Sequence, residues 1–298
     1  MQVLHCPSNL KVHLAGTENK PHFHAARIMG CQYFLYTCFP WVYKRVFGNG
    51  KASTNKEAEI PELIAGNSLH AIQDSGLFTL LFGAMKDAPK DVSLINKWYD
   101  GLVDYTVNHG QPVTCVEVDA QKFLGPELTW EIRMRLRRDL PAKNRIINVF
   151  HLEDGKYGLD RMIEYADYIA ISVPEMRIAG KSATVPALAR YIKNKKPSID
   201  IHLLGCTELG LLKQCRFCTS SDSTSWISGM RYGFLENHHI NSIKESAVAE
   251  FVGVDKWDKV SEFFNSHKTS VICASIETAM RSYEKAAGPQ DYRKPKTI

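Results

Sequence analysis

The sequence lacks any apolar stretch long enough to cross a membrane. No run approaches the ~18 consecutive apolar residues that a spanning helix requires. Residues 1–6 also lack the cationic segment followed by an apolar one that begins a secretory signal peptide. We therefore expect no membrane partner and a location in the cytoplasm.

Two common phosphate-binding patterns are absent as well. The sequence contains no Walker A motif and no GxGxxG after its first predicted strand, so it lacks the usual phosphate cradles for nucleoside triphosphates and dinucleotides. We expect no cofactor. Internal repeats, coiled-coil heptads and low-complexity segments are missing too, which excludes solenoid and fibrous proteins.

Cysteine is scarce and scattered. Several of the eight cysteines fall in apolar, strand-like runs, which favours reduced, buried thiols over a disulfide framework. Cys215 and Cys218 have CxxC spacing, but one such pair is a weak indication of zinc, and we expect no metal site. Basic residues outnumber acidic ones by 37 to 32, and the net charge of +5 permits a polyanionic partner without requiring one.

Eight short runs rich in β-branched or aromatic residues alternate with segments of helical periodicity. The predicted strands are Lys11–Ala15, Gln32–Thr37, Leu69–Gln73, Val113–Val118, Ile147–Leu152, Tyr168–Val173, Ile201–Leu204 and Phe217–Ser220. Mostly apolar strands, each followed by a helix, predict an α/β protein with a (β/α)8 TIM barrel. We expect a single domain over residues 1–298, with the barrel at about 11–235, C-terminal helices at about 235–287 and a loose tail at 288–298.

Aspartates follow three of the predicted strands at the end where barrel enzymes carry their chemistry. Asp74 follows strand three, Asp119 strand four and Asp222 strand eight. A pair of carboxylates allows one to act as a nucleophile while the other, with a raised pKa, handles a proton, which suits chemistry at an anomeric carbon. Position alone leaves open the alternative that Asp74 and Asp222 only cap helix N-termini.

One of these aspartates lies in a recognisable motif. The sequence from Asp74 to Thr79, DSGLFT, resembles the Asp-Ser-Gly-Gly-Phe-Gln signature of the tRNA-guanine transglycosylase family, a zinc-bearing (β/α)8 barrel. Further positions follow in matching order over residues 11–235. They are Asp119 at a base-recognising aspartate, His151 at a glutamine, Ser172 and Val173 at a Gly-rich loop, residues 202–205 at a Tyr-Leu-Met-Gly segment, and Asp222 at the nucleophile.

The resemblance implies a base exchange. Asp222 would attack C1′ of a guanosine nucleotide, guanine would leave, and a 7-deazaguanine would replace it on a covalent glycosyl-enzyme. Asp74 would transfer the proton, and Asp119 would accept hydrogen bonds from the base edge. The resemblance also implies substrate contacts for Ser75, His151, Ser172, Val173 and Gly205. The target nucleotide would first have to leave its stack.

Two departures from the family pattern indicate which nucleic acid is the substrate. The family's Cys-x-Cys-x-x-Cys zinc motif is missing, since only Cys273 follows Asp222. The Pro-Thr-Arg that follows the nucleophile in the tRNA enzymes is replaced by residues 223–226. The chain therefore looks like the phage-type DNA-guanine transglycosylases, which insert preQ0-like 7-deazaguanines into DNA. We expect DNA as the partner.

Three alternatives to a DNA enzyme stay open. A tRNA enzyme and a noncatalytic, nucleic-acid-binding partner subunit both belong to the same family. The third is a metal hydrolase of the amidohydrolase type, which His22 and His24 together with His151 and Asp222 would imitate in part.

A candidate nucleic-acid contact follows the second predicted strand. Residues 41–51 interleave aromatics with cations and glycines, so Trp41 is expected to stack on an unpaired base while Lys44, Arg45 and Lys51 hold phosphates. The alternative is that this segment packs as a cover over the barrel rim.

Overall fold

Eight parallel strands pair in chain order and close into a barrel in the computed structural model. The structure describes residues 9–48, 63–64, 66–84, 87, 91–108, 113–235, 238–239 and 244–292. The strands are β1 (Lys11–Ala15), β2 (Tyr33–Thr37), β3 (His70–Asp74), β4 (Thr114–Val116), β5 (Arg145–Phe150), β6 (Tyr168–Ser172), β7 (Asp200–Leu204) and β8 (Ser220–Ser223). Pairing of β8 with β1 closes the barrel, and the predicted (β/α)8 fold is confirmed.

Helices surround the barrel and extend beyond it. They are α1 (Lys20–Met29), α2 (Phe39–Phe47), α3 (Leu77–Thr79), α4 (Val92–Asn108), α5 (Gln121–Asp139), α6 (Gly155–Tyr165), α7 (Val173–Ile178), α8 (Val185–Lys195), α9 (Leu209–Gln214), α10 (Ser228–Tyr232), α11 (Glu245–Val252), α12 (Val254–Ser261) and α13 (Ser266–Ala287). The long helix α13 packs on α9, α10 and α1. No helix in the described ranges is long and apolar enough to span a membrane.

The barrel interior holds both apolar and polar side chains. The apolar residues form one buried cluster, which includes Leu35 of β2, Ile72 of β3 and Val149 of β5. Among the polar groups, the His13 Nε2 atom lies 2.8 Å from His70 Nδ1, and both histidines are buried. Because alternate residues of a strand face inward, the histidines and the strand-end carboxylates project into the same barrel.

Strand β8 lies three residues later than predicted. Its sequence, Ser220 to Ser223, is polar on both faces: Ser220 and Asp222 face the polar barrel interior, while Ser223 on the other face bonds to Ser225. Asp222 therefore belongs to the strand itself. Strand β5 ends at Phe150, so His151 follows it rather than lying on it.

The tail predicted to be loose is packed for as far as the structure describes it. Gln290 is fully buried at the amino end of the barrel, where its side chain accepts from Val12 N at 2.8 Å and donates to Leu10 O at 3.0 Å. Asp291 forms an ion pair with Lys11 at 2.8 Å. Over residues 288–292 these polar groups satisfy the backbone of β1, and residues 293–298 lie outside the described residues.

Candidate active site

Asp74 ends β3 at the carboxyl-end mouth of the barrel. Its Oδ2 atom accepts a hydrogen bond from Gly76 N at 3.0 Å, which fixes a tight turn directly after the strand. Gly76 has φ 71°, and a Cβ atom there would lie 2.8 Å from the Phe39 Cβ atom. The turn therefore requires glycine, and the DSG sequence is explained by how it holds the Asp74 carboxylate.

The pKa of Asp74 is raised to about 6. Desolvation by burial is the largest cause, and the negative charges of Asp222 and Glu18 raise this pKa further, while hydrogen bonds from Gly76 N and the Thr37 hydroxyl oppose the shift. Charge coupling to Asp222 means that the two aspartates share one site across the barrel mouth. Asp74 thus holds a proton in about half of the molecules at pH 6 and in about a tenth of them at pH 7.

Asp222 is held by two donors from the end of β7. Its Oδ1 atom accepts from Gly205 N at 2.7 Å and from His202 Nε2 at 3.1 Å. Gly205 has φ 63°, and a Cβ atom there would lie 2.9 Å from the Pro174 Cγ atom. The helix-cap alternative is wrong for Asp222, because its carboxylate bonds to a neighbouring strand and not to the start of a helix.

Behind Asp222, a line of buried side chains runs into the barrel. His202 is fully buried, and its Nδ1 atom lies 2.6 Å from Ser220 Oγ, which in turn lies 2.5 Å from Tyr168 OH. A carboxylate only accepts hydrogen bonds, so His202 Nε2 carries the hydrogen that points at Asp222. One of the two donors that orient the Asp222 carboxylate, His202, is therefore itself held by buried groups.

A second cluster joins the ends of β4, β5 and β6. His151 Nε2 lies 2.7 Å from Asp119 Oδ1, and His151 Nδ1 lies 2.7 Å from Glu175 Oε2. Burial alone would lower the pKa of His151, but hydrogen bonds to Asp119 and Glu175 outweigh it and raise this pKa to about 10. Likewise, burial would raise the pKa of Glu175, but the hydrogen bond and charge of His151 lower it.

His151 therefore acts as a buried cation between two carboxylates. Its side chain is only 4% exposed, and both ring nitrogens are engaged, so the imidazole has no free polar atom to offer a substrate. The Asp119 side chain remains 32% exposed. Of this cluster, Asp119 is the member positioned to touch a ligand, while His151 orients it.

The remaining predicted substrate contacts lie on the same face with different exposure. Ser75 is buried, and its carbonyl accepts from Trp98 Nε1 at 2.9 Å. The Ser172 hydroxyl caps α7 by accepting from Glu175 N at 3.4 Å, and Val173 is buried. The position matched to a Gly-rich loop is thus the start of a helix, where a ligand would meet the rim of the strand rather than an open loop.

The candidate nucleic-acid segment is a helix over most of its length. Residues Phe39–Phe47 form α2, and Trp41 is 7% exposed with its ring stacked on Tyr105 at 5.9 Å. The prediction that Trp41 stacks on a base is therefore wrong, because its apolar face packs on α4. Arg45 is exposed and ion-paired with Asp104. Lys44 is half-buried, and Lys51 lies outside the described residues.

The histidines that imitated a metal site point elsewhere. His22 stacks on Phe264 and His24 on Phe263, so both rings pack under the C-terminal helices. Among the residues that the structure describes, no three His, Cys, Asp or Glu side chains lie together as metal ligands. Cys206, Cys215 and Cys218 are buried, unpaired thiols.

Sequence reasoning missed several members of the mouth. Glu18 and Glu175 follow β1 and β6, so the strand-end rule that singled out the aspartates also signals them. Burial raises the pKa of Glu18, although hydrogen bonds from backbone N–H groups oppose this. His202 was matched only as part of residues 202–205, and its bond to Asp222 was not foreseen, since a histidine within an apolar run is typical of an ordinary core residue.

The chain matches none of the known protein-family models and no curated protein.

Proposed function

We propose that this protein exchanges guanine in DNA for a 7-deazaguanine through a covalent aspartyl-glycosyl intermediate. The observation that carries the proposal is the pair Asp74 and Asp222, which lie at one barrel mouth in opposite environments. Asp222 is surrounded by donors suited to an anion. Asp74 has a pKa raised to about 6, as a proton-transfer group requires.

In the first half of the reaction, Asp222 is the nucleophile. Its Oδ1 atom is held by Gly205 N and His202, which leaves Oδ2 for attack on C1′ of the target nucleotide. The new C1′–O bond forms as the C1′–N9 bond breaks, and the bonding electrons leave with guanine. Protonated Asp74 gives its proton to the departing base, so no free purine anion is released.

The second half reverses these roles. Asp74, now a carboxylate, takes the N9 proton from the entering 7-deazaguanine, and N9 attacks C1′. The bond to Asp222 breaks, and its carboxylate regains the negative charge beside His202 and Gly205. Atoms and protons balance without an oxidant or a further reactant.

Recognition of the base falls to the second cluster. Asp119 is an acceptor-only group, and the His151 cation holds one of its oxygens. The exposed part of the Asp119 carboxylate suits the exocyclic amine and ring N–H of guanine, a pattern that 7-deazaguanines keep. This contact discriminates against bases that present an acceptor at that edge.

The choice of DNA over tRNA rests on the segment after Asp222. In place of the tRNA enzymes' Pro-Thr-Arg, the chain has residues 223–226, and Trp226 packs fully buried with its Nε1 donating to Ala15 O at 2.8 Å. This segment contributes to the barrel wall instead of presenting a cation to RNA.

The proposal is tested by mass analysis of nucleosides. Duplex DNA and tRNA are each incubated with the protein and candidate 7-deazaguanines, and the digested nucleosides are measured. We expect the 7-deazaguanine only in the DNA digest, as its 2′-deoxynucleoside. Exchange confined to tRNA would refute the choice of DNA, and no exchange in either, together with no trapped adduct, would refute the transglycosylase.

A further inference from the structure

The most exposed apolar side chains of the described chain share one face. Four large apolar residues have 73% or more of their surface exposed, whereas the next, Val254, has 58%. They are Phe78 at 73%, Tyr157 at 82%, Ile178 at 85% and Tyr232 at 73%. We call these four residues the apolar rim.

Each member of the apolar rim follows a different barrel strand at its carboxyl end. Phe78 lies in α3 after β3, Tyr157 in the first turn of α6 after β5, Ile178 at the end of α7 after β6, and Tyr232 at the end of α10 after β8. These elements follow four of the eight strand ends that form the mouth holding Asp74 and Asp222, so the apolar rim lies at the same end of the barrel as the candidate active site.

Cations accompany three of the four members. Lys156 precedes Tyr157, Arg177 precedes Ile178, and Arg231 precedes Tyr232, and all three cations are exposed. Lys156 forms an ion pair with Asp160 at 2.8 Å, which a phosphate would have to replace. An apolar rim alone would suit many partners, but cation–apolar pairs repeated around a mouth suit a polyanion that also presents flat apolar faces. A nucleic-acid strand with unstacked bases has that combination of groups.

We propose that the apolar rim is the DNA-docking surface of this protein, and that it holds the target strand with bases unstacked around the extruded nucleotide. Tyr157 and Tyr232 are stacking platforms for neighbouring bases, and their adjoining cations contact phosphates. Ile178 is the wedge that enters the stack, the role that branched apolar side chains take in DNA-kinking proteins. The choice of DNA rests on the proposed function.

Binding measurements test the rim without any catalytic step. Fluorescence anisotropy is measured with a single-stranded DNA oligonucleotide, with the matching duplex and with RNA of the same sequence. We expect Tyr157→Ala and Tyr232→Ala each to weaken single-strand binding about tenfold or more, as loss of one stacked base does, while Tyr157→Phe retains affinity. Arg177→Ala should lower the slope of log affinity against log salt by about 0.7.

The role of Ile178 as a wedge is tested by a separate fluorescence measurement. A duplex carrying 2-aminopurine beside the target guanine brightens when the protein unstacks it, and Ile178→Ala should reduce this signal while leaving single-strand affinity close to that of the unaltered protein. Arg190→Ala and Phe217→Ala are the matched controls. Their side chains form a cation–π pair at 5.3 Å, and Phe217 precedes β8 at the opposite end of the barrel.

The outcomes separate this proposal from the proposed function. Unchanged affinity in both tyrosine variants, or equal losses in the control variants, would overturn the rim even if base exchange occurs. Rim-dependent binding that favours RNA over DNA would overturn the choice of DNA. Rim-dependent DNA binding without base exchange would keep the docking surface and reject the transglycosylase. Melting curves confirm that each variant is folded.

Discussion

Replacement of His202 should slow the second half of the proposed reaction more than the first. Asp222 loses its charge when it attacks C1′ and regains it when the entering base displaces it. A hydrogen bond from His202 Nε2 to Oδ1, at 3.1 Å, stabilises the carboxylate that reappears in the second step. In the first step the same bond orients Asp222 but also stabilises its reactant anion, so the two effects partly cancel.

The size of the effect follows from the kind of bond that is lost. A hydrogen bond to a charged group contributes about 1.5–3 kcal/mol, and Gly205 N still holds the same oxygen after His202 is removed. His202→Leu should therefore slow release from the adduct by roughly 10- to 150-fold. His202→Gln keeps an N–H group near the position of Nε2 and should restore most of that rate.

The assay follows a preformed adduct. Protein and guanine-containing DNA are allowed to react, the adduct is chased with a 7-deazaguanine, and its loss is followed on denaturing gels. His70→Leu is the control, because His70 is equally enclosed in the barrel but bonds to His13 and Thr114 rather than to Asp222. Release at the normal rate from folded His202→Leu, or an equal slowing in His70→Leu, would refute the reasoning.

Three further predictions concern the carboxylates and the stability of the fold. Asp222→Asn should abolish the trapped adduct, whereas Asp74→Asn should slow exchange by about 10²–10⁴-fold and still allow some adduct; the reverse pattern on a denaturing gel would exchange their roles. His151→Gln should cost about 3–5 kcal/mol of unfolding free energy at pH 7. Because the pKa of His151 is raised from 6.5 to about 10, its contribution is complete below pH 6.5 and is lost as pH rises through 10; denaturant titrations showing no such loss would contradict the His151 cation. Gln290→Ala should cost about 2–5 kcal/mol and lower the Tm by roughly 3–8 °C, while Gln214→Ala, which removes an exposed side-chain hydrogen bond to Gly210 O, should change the Tm little.

The sequence was most informative where at least one face of a strand is apolar, as Val12 and Leu14 make it in β1. Strand β1 begins and ends at the predicted residues, Lys11 and Ala15, and the order of strands around the barrel is as expected. Strand β8 was misplaced because both of its faces are polar, with Ser220 and Asp222 in the barrel and Ser221 and Ser223 on the other face, and no apolar pattern marks such a strand. Hydrophobic periodicity reports burial in apolar surroundings only.

The site residues were predictable only where neighbouring residues in the sequence define their role. Asp74 was found because its role is local, written in the two residues that follow it. The hydrogen bonds of Asp222 depend on the packing of β7 against β8, and that of Asp119 depends on His151, 32 positions away, which Glu175 in turn holds, so no local pattern contains them. Trp41 shows the converse, since an aromatic among cations matched a binding motif while its helical face belonged to the core.

The bonds of Gln290 also determine when this fold can be completed during synthesis. The Gln290 side chain that accepts a hydrogen bond from Val12 N lies 278 residues later in the chain. At about 5–20 residues per second, the ribosome needs roughly 15–55 s to make that stretch. Strand β8, which pairs with β1, is made before Gln290. Until β8 has been made, β1 exposes an open strand edge, and its first residues lack the Gln290 amide for longer still.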